Sequence, residues 1–269
     1  MILLLDIGNS AVKWATLDDR GDDRGDDEDT LTCVGSRVYR PEGIGSVAET
    51  CWRGLSPTRP TRIVASNVGG DALAKDLCDW TQATWQLEVS FLRPEAQGYG
   101  VKNAYRDPTR LGADRWAALV GAARRSHGHL CVVDCGTAVT IDALSADNTH
   151  LGGLIVPGIR MMRHALVAGT AQIRYTSGAG ASLLAVDTGS AVAGGTLYAV
   201  VALIDRVVAD LSRELSGAVT ILLTGGDAAL ALPLLNGVVE YEANLVMHGL
   251  AVVAKTATQA QVAEAQVAE

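Results

Sequence analysis

The sequence predicts an α/β protein built of two related halves, each a mixed β-sheet flanked by helices. Three observations lead there. A Leu-rich apolar run ends in Asp6-Ile7-Gly8-Asn9-Ser10 and is followed at once by a second apolar run, Ala11 to Leu17; that is the pattern of strand, tight turn, strand. The same layout returns at Leu130 to Thr140, where Asp134-Cys135-Gly136-Thr137 aligns Asp134 with Asp6, Gly136 with Gly8 and Thr137 with Asn9. Around these turns, strand-length apolar runs alternate with helix-length segments, as in an α/β layer arrangement. A turn recurring near the start of each half marks an internal duplication. The expected boundaries are 1–125 and 126–256 for the two domains, with 257–269 a polar Ala/Gln/Glu tail, and the two turns are expected to face each other across a cleft.

Composition narrows the function. A chain of 269 residues, 48% hydrophobic and 19% charged, can bury one sizeable core or two modest ones. Its net charge of −8 argues against a surface made for nucleic acid or anionic membrane. Aromatic residues are 4%, too few for a base-stacking platform. The five cysteines (33, 51, 78, 131 and 135) form no CxxC pair and read as reduced thiols of a cytoplasmic protein. The opening apolar run stops at Asp6, too short for a signal peptide or a span. No later run reaches spanning length without Gly, charge or Pro.

Taken in order, the opening hairpin leads into an acidic stretch, 18–30, whose spacing lacks the closing glutamate of a calcium loop and suits a solvated tip. Leu31 to Tyr39 reads as a strand, and Ser46 to Leu55 as a short helix capped by Ser46. Ser56 to Pro60 forms a turn. Arg62 to Val68 is a buried strand leading through Gly69-Gly70 into a helix from Asp71 to about Trp80. Gln86 to Leu92 is the next strand, and Trp80 and Trp85 read as packing residues. The long aperiodic segment from Pro94 to Leu111 has the character of a functional loop. It delivers into a helix over 112–125, which places Asp114 in the first turn, where the helix dipole favours a carboxylate, and Arg124-Arg125 in the last.

In the second half, strands follow the Asp134 turn to Leu144 and from His150 to Val156. Pro157 then opens a helix in which Met161 and Met162 fill the core. His150 and His164 stand without ligand-spaced partners and read as surface or packing residues. Gly169 to Leu184 is irregular. A long apolar helix from about Gly189 to Leu215 contains Gly194-Gly195, which allow close packing. The strand Ala218 to Thr224 ends in Gly225-Gly226-Asp227, a favoured place for nucleotide contact at the carboxyl end of a strand. Val238 to Tyr241 is a short strand, and Asn244 to Lys255 a closing helix.

The chemistry concentrates on the two turns. Gly8 permits positive φ and close backbone approach to an anion. Asp6, at the strand tip, can hold a hydrated divalent cation, and Ser10 and Lys13 add a hydroxyl donor and a positive charge. Two phosphate-cradling turns in one cleft make a nucleoside triphosphate site.

Two Asp-x-Gly turns followed by a Gly-Gly turn resemble the ATPase core shared by actin, the seventy-kilodalton heat-shock chaperones and sugar kinases, a duplicated ribonuclease H-like fold. More narrowly, the chain resembles the type III pantothenate kinases from Met1 to about Lys255. Asp6-Ile7-Gly8-Asn9-Ser10-Ala11-Val12-Lys13 is similar to that family's first phosphate turn, with Ser10 where Thr is usual. Tyr105, Pro108, Leu111-Gly112 and Asp114-Arg115 match its substrate-side signature, and Asp134-Cys135-Gly136-Thr137-Ala138 its second phosphate turn. Gly152-Gly153-Leu154-Ile155-Val156-Pro157-Gly158 and Thr188 follow in register, with Asp187 in place of an expected Asn.

The resemblance implies ATP-dependent phosphorylation of pantothenate to 4′-phosphopantothenate, the first step of coenzyme A synthesis. It implies Asp114 as the catalytic base, with Tyr105, Gly112, Ala113, Arg115 and Thr188 lining the pantothenate pocket. Asp6 would position Mg²⁺, Asp134 would help hold K⁺ or NH₄⁺, and Gly225-Gly226 would lie by the adenosine. A homodimer completes the pocket in that family. Two other readings stay open: a different small-molecule kinase on the same core, and a catalytically idle relative acting as a regulatory accessory protein.

Overall fold

The computed structural model describes residues 1–18, 31–39, 42–55, 59–173 and 180–267. The acidic stretch, from residue 19 on, and the core of the expected turn at 56–60 lie outside the described residues. The chain divides into two compact units, Met1–Arg125 with Asn244–Glu269, and Ser126–Ala243.

The first unit holds a five-stranded sheet in the order β3-β2-β1-β4-β5: β1 (Ile2–Ile7), β2 (Ala11–Leu17), β3 (Leu31–Val38), β4 (Arg62–Asn67) and β5 (Val89–Phe91). β1 pairs antiparallel with β2 and parallel with β4. Every residue of β1 is buried, so the strand alternates between two covered faces. Leu3, Leu5 and Ile7 point into a core with Ile63, Ala65 and residues of α1 (Ile44–Val47) and α2 (Asp71–Trp85). Trp14, Trp52, Trp80 and Trp85 extend that core as a chain of edge-to-face contacts, with centroids 4.8–6.3 Å apart; both Trp80 and Trp85 are thus packing residues.

The opposite face of this sheet is covered by α3 (Ala113–Arg125) and α7 (Leu245–Val267), which pack on β4 and on β1 and β4 respectively. The two helices meet at glycines. A side chain at Gly121 would stand 2.5 Å from the Leu245 carbonyl, and one at Gly249 would overlap that of Ala117. Arg62 on β4 also donates to the Ala254 carbonyl at 3.2 Å. The closing helix therefore belongs with the first unit, where the sequence reading had extended the second domain to 256. Its backbone stays helical through Val267, across the segment read as a polar tail.

The second unit repeats the arrangement as β10-β9-β8-β11-β12: β8 (His129–Cys135), β9 (Ala138–Leu144), β10 (His150–Pro157), β11 (Val219–Thr224) and β12 (Val239–Tyr241). The pair orientations are the same, antiparallel hairpin on one side and parallel strands on the other. Cys131, Val133 and Cys135 face a core supplied by α4 (Ile159–Gly169), α5 (Thr188–Glu214) and α6 (Ala228–Ala231). Two identically ordered sheets are the duplication read from the repeated turn.

Several local expectations shift. The helix near Ser46 begins at Ile44 after Gly43, and Ser46 donates to Glu42 instead of capping. α2 runs on to Trp85 because Gln86 closes it in the left-handed conformation, φ 56°, which shortens the following strand to Val89–Phe91. The 94–111 segment contains a small hairpin of β6 (Gln97–Gly98) and β7 (Val101–Lys102). Pro157 ends β10 and Gly158 caps α4, so proline does not open the helix. Met161 is exposed while Met162 packs on the core. His150 is buried and paired with Asp142 at 2.8 Å, a packing histidine, and His164 is exposed. Among the described residues α5 is long and apolar enough to cross a membrane, with a mean hydropathy of 1.6. It lies in the second unit's core, burying Val192, Leu197, Val200, Val201 and Ile204.

Candidate active site

The first turn grows out of the sheet. Asp6 stands one residue from the end of β1, on the face opposite the tryptophan core, and is 8% exposed. Its register neighbours are Lys13 on β2 and Ser66 on β4, so a polar row crosses the sheet at the carboxyl end of its parallel strands. The Gly8 N–H donates to the Ala11 carbonyl at 3.0 Å, leaving Asn9 and Ser10 as an exposed two-residue tip. Gly8 has no positive φ. A Cβ there would sit 3.3 Å from the Ala11 carbonyl, a tight fit.

The second turn is one residue shorter. Asp134 is flanked in register by Thr140 and Thr224. The Gly136 N–H donates to the Ala138 carbonyl at 3.0 Å, which leaves Thr137 as the tip, and Gly136 likewise has no positive φ. In both turns the glycine N–H is used within the hairpin, and Asn9, Ser10 and Thr137 are the exposed tip residues. Two segments brace this turn. Gly158 donates to the Thr137 carbonyl at 3.0 Å, and Asp227 donates to the Cys135 carbonyl at 2.9 Å. Gly225, at φ 99°, lies so close that any side chain would strike Asp134 Oδ1 and the Cys135 backbone. Gly226 has open space instead. Burial, with Asp134 and Asp227 nearby, pushes the Cys135 thiol up to about 12.

Neither carboxylate sits in a dense ligand cluster. Among the described residues no group of three or more His, Cys, Asp or Glu could hold a metal. A lone carboxylate suits Mg²⁺, which keeps its waters and takes further oxygens from phosphates. Hydroxyl-bearing neighbours on both sides of Asp134 offer hard oxygen donors of the kind an alkali ion takes.

The residues expected on the substrate side, Tyr105, Gly112, Ala113, Asp114 and Arg115, come together in the first unit. Asn103 ties the loop, donating to the Glu95 and Pro108 carbonyls and accepting from the Tyr105 N–H at 3.0 Å. Asp107 caps the one-turn helix Pro108–Arg110 through the Thr109 N–H. α3 then starts, and Asp114 Oδ1 accepts from the Arg115 N–H at 2.8 Å. A Cβ at Gly112 would stand 2.5 Å from that oxygen. Arg115 is 5% exposed and donates to the Tyr105 hydroxyl at 2.7 Å. A cavity of about 420 Å³ opens here, lined by Asn67, Arg93, Thr109, Leu111, Gly112 and Ala113. It joins the carboxyl end of β4 to the start of α3, the usual place for a ligand in an open α/β sheet.

Thr188 stands in the second unit as the first residue of α5, and Asp187 caps that helix by accepting from the Ser190 N–H at 2.9 Å. This bond holds the Asp187 carboxyl below its ordinary value. Thr188 borders an apolar cavity of about 1050 Å³ between α4 and α5.

Sequence reading passed over three contributors. The Tyr39 hydroxyl donates to the Gly8 carbonyl at 2.8 Å from 31 residues away. Asn67 lines the small cavity and accepts from the Gly69 N–H. Arg160, on the first turn of α4, donates to Asp227 at 3.0 Å beside the second turn. Only the Gly-Gly pair after Asn67 and the cation after Gly158 left any trace in the sequence.

Residues 2–210 match the type III pantothenate kinase family. A type III pantothenate kinase of Nitrosococcus oceani is 44% identical over 261 residues, covering 95% of this chain and 94% of that protein. One from Halorhodospira halophila is 35% identical, covering 86% and 89%. Among solved structures, a Campylobacter jejuni protein described as a Baf-family transcriptional activator aligns with a TM-score of 0.59 at 21% identity, covering 95% of this chain and 99% of that one. A Sinorhizobium meliloti protein described as a 2-dehydro-3-deoxygalactonokinase aligns at 0.60 with 12% identity, covering 95% and 96%. These two likenesses concern the fold alone.

Proposed function

The chain belongs to the type III pantothenate kinase family, and from that premise we infer that it transfers the γ-phosphoryl group of ATP to the primary hydroxyl of pantothenate. The product is 4′-phosphopantothenate, which opens coenzyme A synthesis. The observation that supports the residue assignment is the cluster at the start of α3, where Asp114 and Arg115, the latter bonded to Tyr105, directly follow Gly112 and Ala113, which line a cavity in the same unit as the first phosphate turn.

Asp114 is the group that accepts the hydroxyl proton. An ordinary carboxylate is a weak base, with a pKa of about 3.9, and that suffices. In a loose phosphoryl-transfer transition state the alcohol keeps its proton until late, so orientation outweighs basicity. The Arg115 N–H bond to Asp114 Oδ1 restricts the carboxylate's rotation, and the missing Cβ at Gly112 leaves room for it there. Arg115, held by the Tyr105 hydroxyl, offers a fixed guanidinium to the anionic substrate. The tips of the two turns, Asn9-Ser10 and Thr137, donate to the phosphates of ATP, with Lys13 adding charge. Thr188 contributes a hydroxyl to pantothenate, and Gly225-Gly226 border the adenosine.

Asp6 is the residue suited to position Mg²⁺ through water, and Asp134 the one suited to K⁺ or NH₄⁺. When bound, these ions neutralise charge on the phosphates, which suits a chain with few basic residues. The working form is a cytoplasmic homodimer, with no part for nucleic acid or membrane. The C. jejuni neighbour's description as a transcriptional activator corresponds to the idle-relative reading; the presence of Asp6, Asp114 and Asp134 together favours the kinase.

The test is ADP release by the purified chain offered ATP with pantothenate or with hexoses, in the presence and absence of K⁺. Turnover confined to pantothenate and raised by K⁺ is expected. Turnover on a hexose, or nucleotide binding without turnover, would contradict the reading.

A further inference from the structure

The two phosphate turns are braced from outside their hairpins in different ways. The Thr137 carbonyl accepts from a backbone amide, that of Gly158. The Gly8 carbonyl accepts from a side chain, the Tyr39 hydroxyl, at 2.8 Å. Tyr39 is 2% exposed and packs in the core with Ile7, Trp52 and Leu77, so its ring cannot drift and its hydroxyl is delivered to one place. Gly69 closes the arrangement. A Cβ there would stand 3.1 Å from the Gly8 carbonyl oxygen, 3.3 Å from the Tyr39 hydroxyl and 2.6 Å from Leu73 Cδ1. The Gly69 N–H is itself fixed by Asn67 Oδ1 at 2.9 Å.

We propose that Tyr39 is the positioning residue of the first phosphate turn, setting the orientation of the Gly8–Asn9 peptide. A trans peptide carries its C=O and its N–H in opposite directions across one rigid plane. A Gly8 carbonyl held inward by Tyr39 therefore holds the Asn9 N–H outward, at the exposed tip. Because the Gly8 N–H is already given to Ala11, the Asn9 amide is the backbone donor this part of the turn presents to a phosphate oxygen. A preset donor costs little reorganisation when the nucleotide arrives. The proposal rests on the reading of this turn as an ATP phosphate site.

Two variants test it. Tyr39→Phe keeps the buried ring and removes only the hydroxyl, while Gly69→Ala presses a methyl against the hydroxyl and its acceptor from the side. Steady-state constants for both substrates are measured with thermal midpoints as the folding control. Each variant is expected to raise KM for ATP about three- to tenfold, the worth of one net hydrogen bond, while KM for pantothenate stays within twofold. A merely structural role would lower the midpoint and move both KM values together, and that result overturns the proposal. So does a Tyr39→Phe enzyme whose KM for ATP stays within twofold of wild type. Asp6→Ala separates the two levels: if it too leaves ATP binding unchanged, the phosphate-site reading itself falls, whereas weakened ATP binding there beside an unaffected Tyr39→Phe removes Tyr39 alone.

Discussion

Arg115 donates a 2.7 Å hydrogen bond to the hydroxyl of Tyr105, and its guanidinium carbon stands 5.6 Å from the centroid of the same ring. The buried cation is thus oriented by one side chain, through the hydroxyl at the end of its ring. Tyr105→Phe deletes this acceptor and loosens the hold on the guanidinium. KM for pantothenate is expected to rise about three- to tenfold with KM for ATP unchanged. Arg115→Lys keeps the charge but loses the planar fork, and a larger rise, about ten- to a hundredfold, is expected. Initial-rate measurements over both substrates check this.

Gly225 and its neighbour Gly226 make an internally controlled pair. The first combines a φ of 99° with contact on Asp134 and Cys135; the second faces open space. Gly225→Ala is expected to lower stability by about 2 kcal/mol or more through strain and collision and to disturb the turn at Asp134. Gly226→Ala should unfold within about 0.5 kcal/mol of wild type. Urea unfolding of both variants reads the difference.

The two buried thiols of β8 give a pH dependence. Burial first, then nearby carboxylates, push Cys131 and Cys135 up to about 12 from an ordinary value of 9.0. In the unfolded chain both ionise near that ordinary value, so above about pH 9 the unfolded state loses protons that the native state retains. Stability from these groups is fully present below pH 9 and is lost as pH rises toward 12, with a slope of up to about 1.4 kcal/mol per pH unit per thiol. Unfolding midpoints between pH 8 and 10 should fall less steeply in Cys131→Ala. A chromogenic disulfide reagent at pH 8 should leave both thiols unmodified until denaturant is added.

Asp6→Ala leaves Lys13 in the polar row without its opposite carboxylate. The expected effect is a Mg²⁺ requirement displaced to higher concentration at fixed ATP, with little change in KM for pantothenate. A titration of activity against Mg²⁺ measures it.

Much of this was legible because it is local. An Asp at the end of an apolar run, followed by Gly and a small polar tip, is turn chemistry contained in five residues, and its repetition at 134 disclosed the duplicated sheets. The Asp114–Arg115 block was singled out by its resemblance to the family's substrate-side signature; its place at a helix start alone is equally what a carboxylate satisfying the helix dipole shows. What stayed hidden depends on partners distant in sequence. Nothing near Tyr39 announces that its hydroxyl reaches Gly8. Nothing around Gly121 announces that its close neighbour is Leu245 on the last helix. Pro157 carries the signal of a helix start, yet its strand pairing with Ala138 prevails, because pairing with a full neighbouring strand outweighs a one-residue preference. Neither Gly8 nor Gly136 uses the positive φ that glycine allows.

The most direct test of the mechanism is the turnover of Asp114→Asn measured beside its ATP affinity. A fall in kcat of about 10²–10⁴-fold, the usual worth of a general base, with ATP binding intact is expected. An Asp114→Asn enzyme that phosphorylates pantothenate at the wild-type rate would contradict the account.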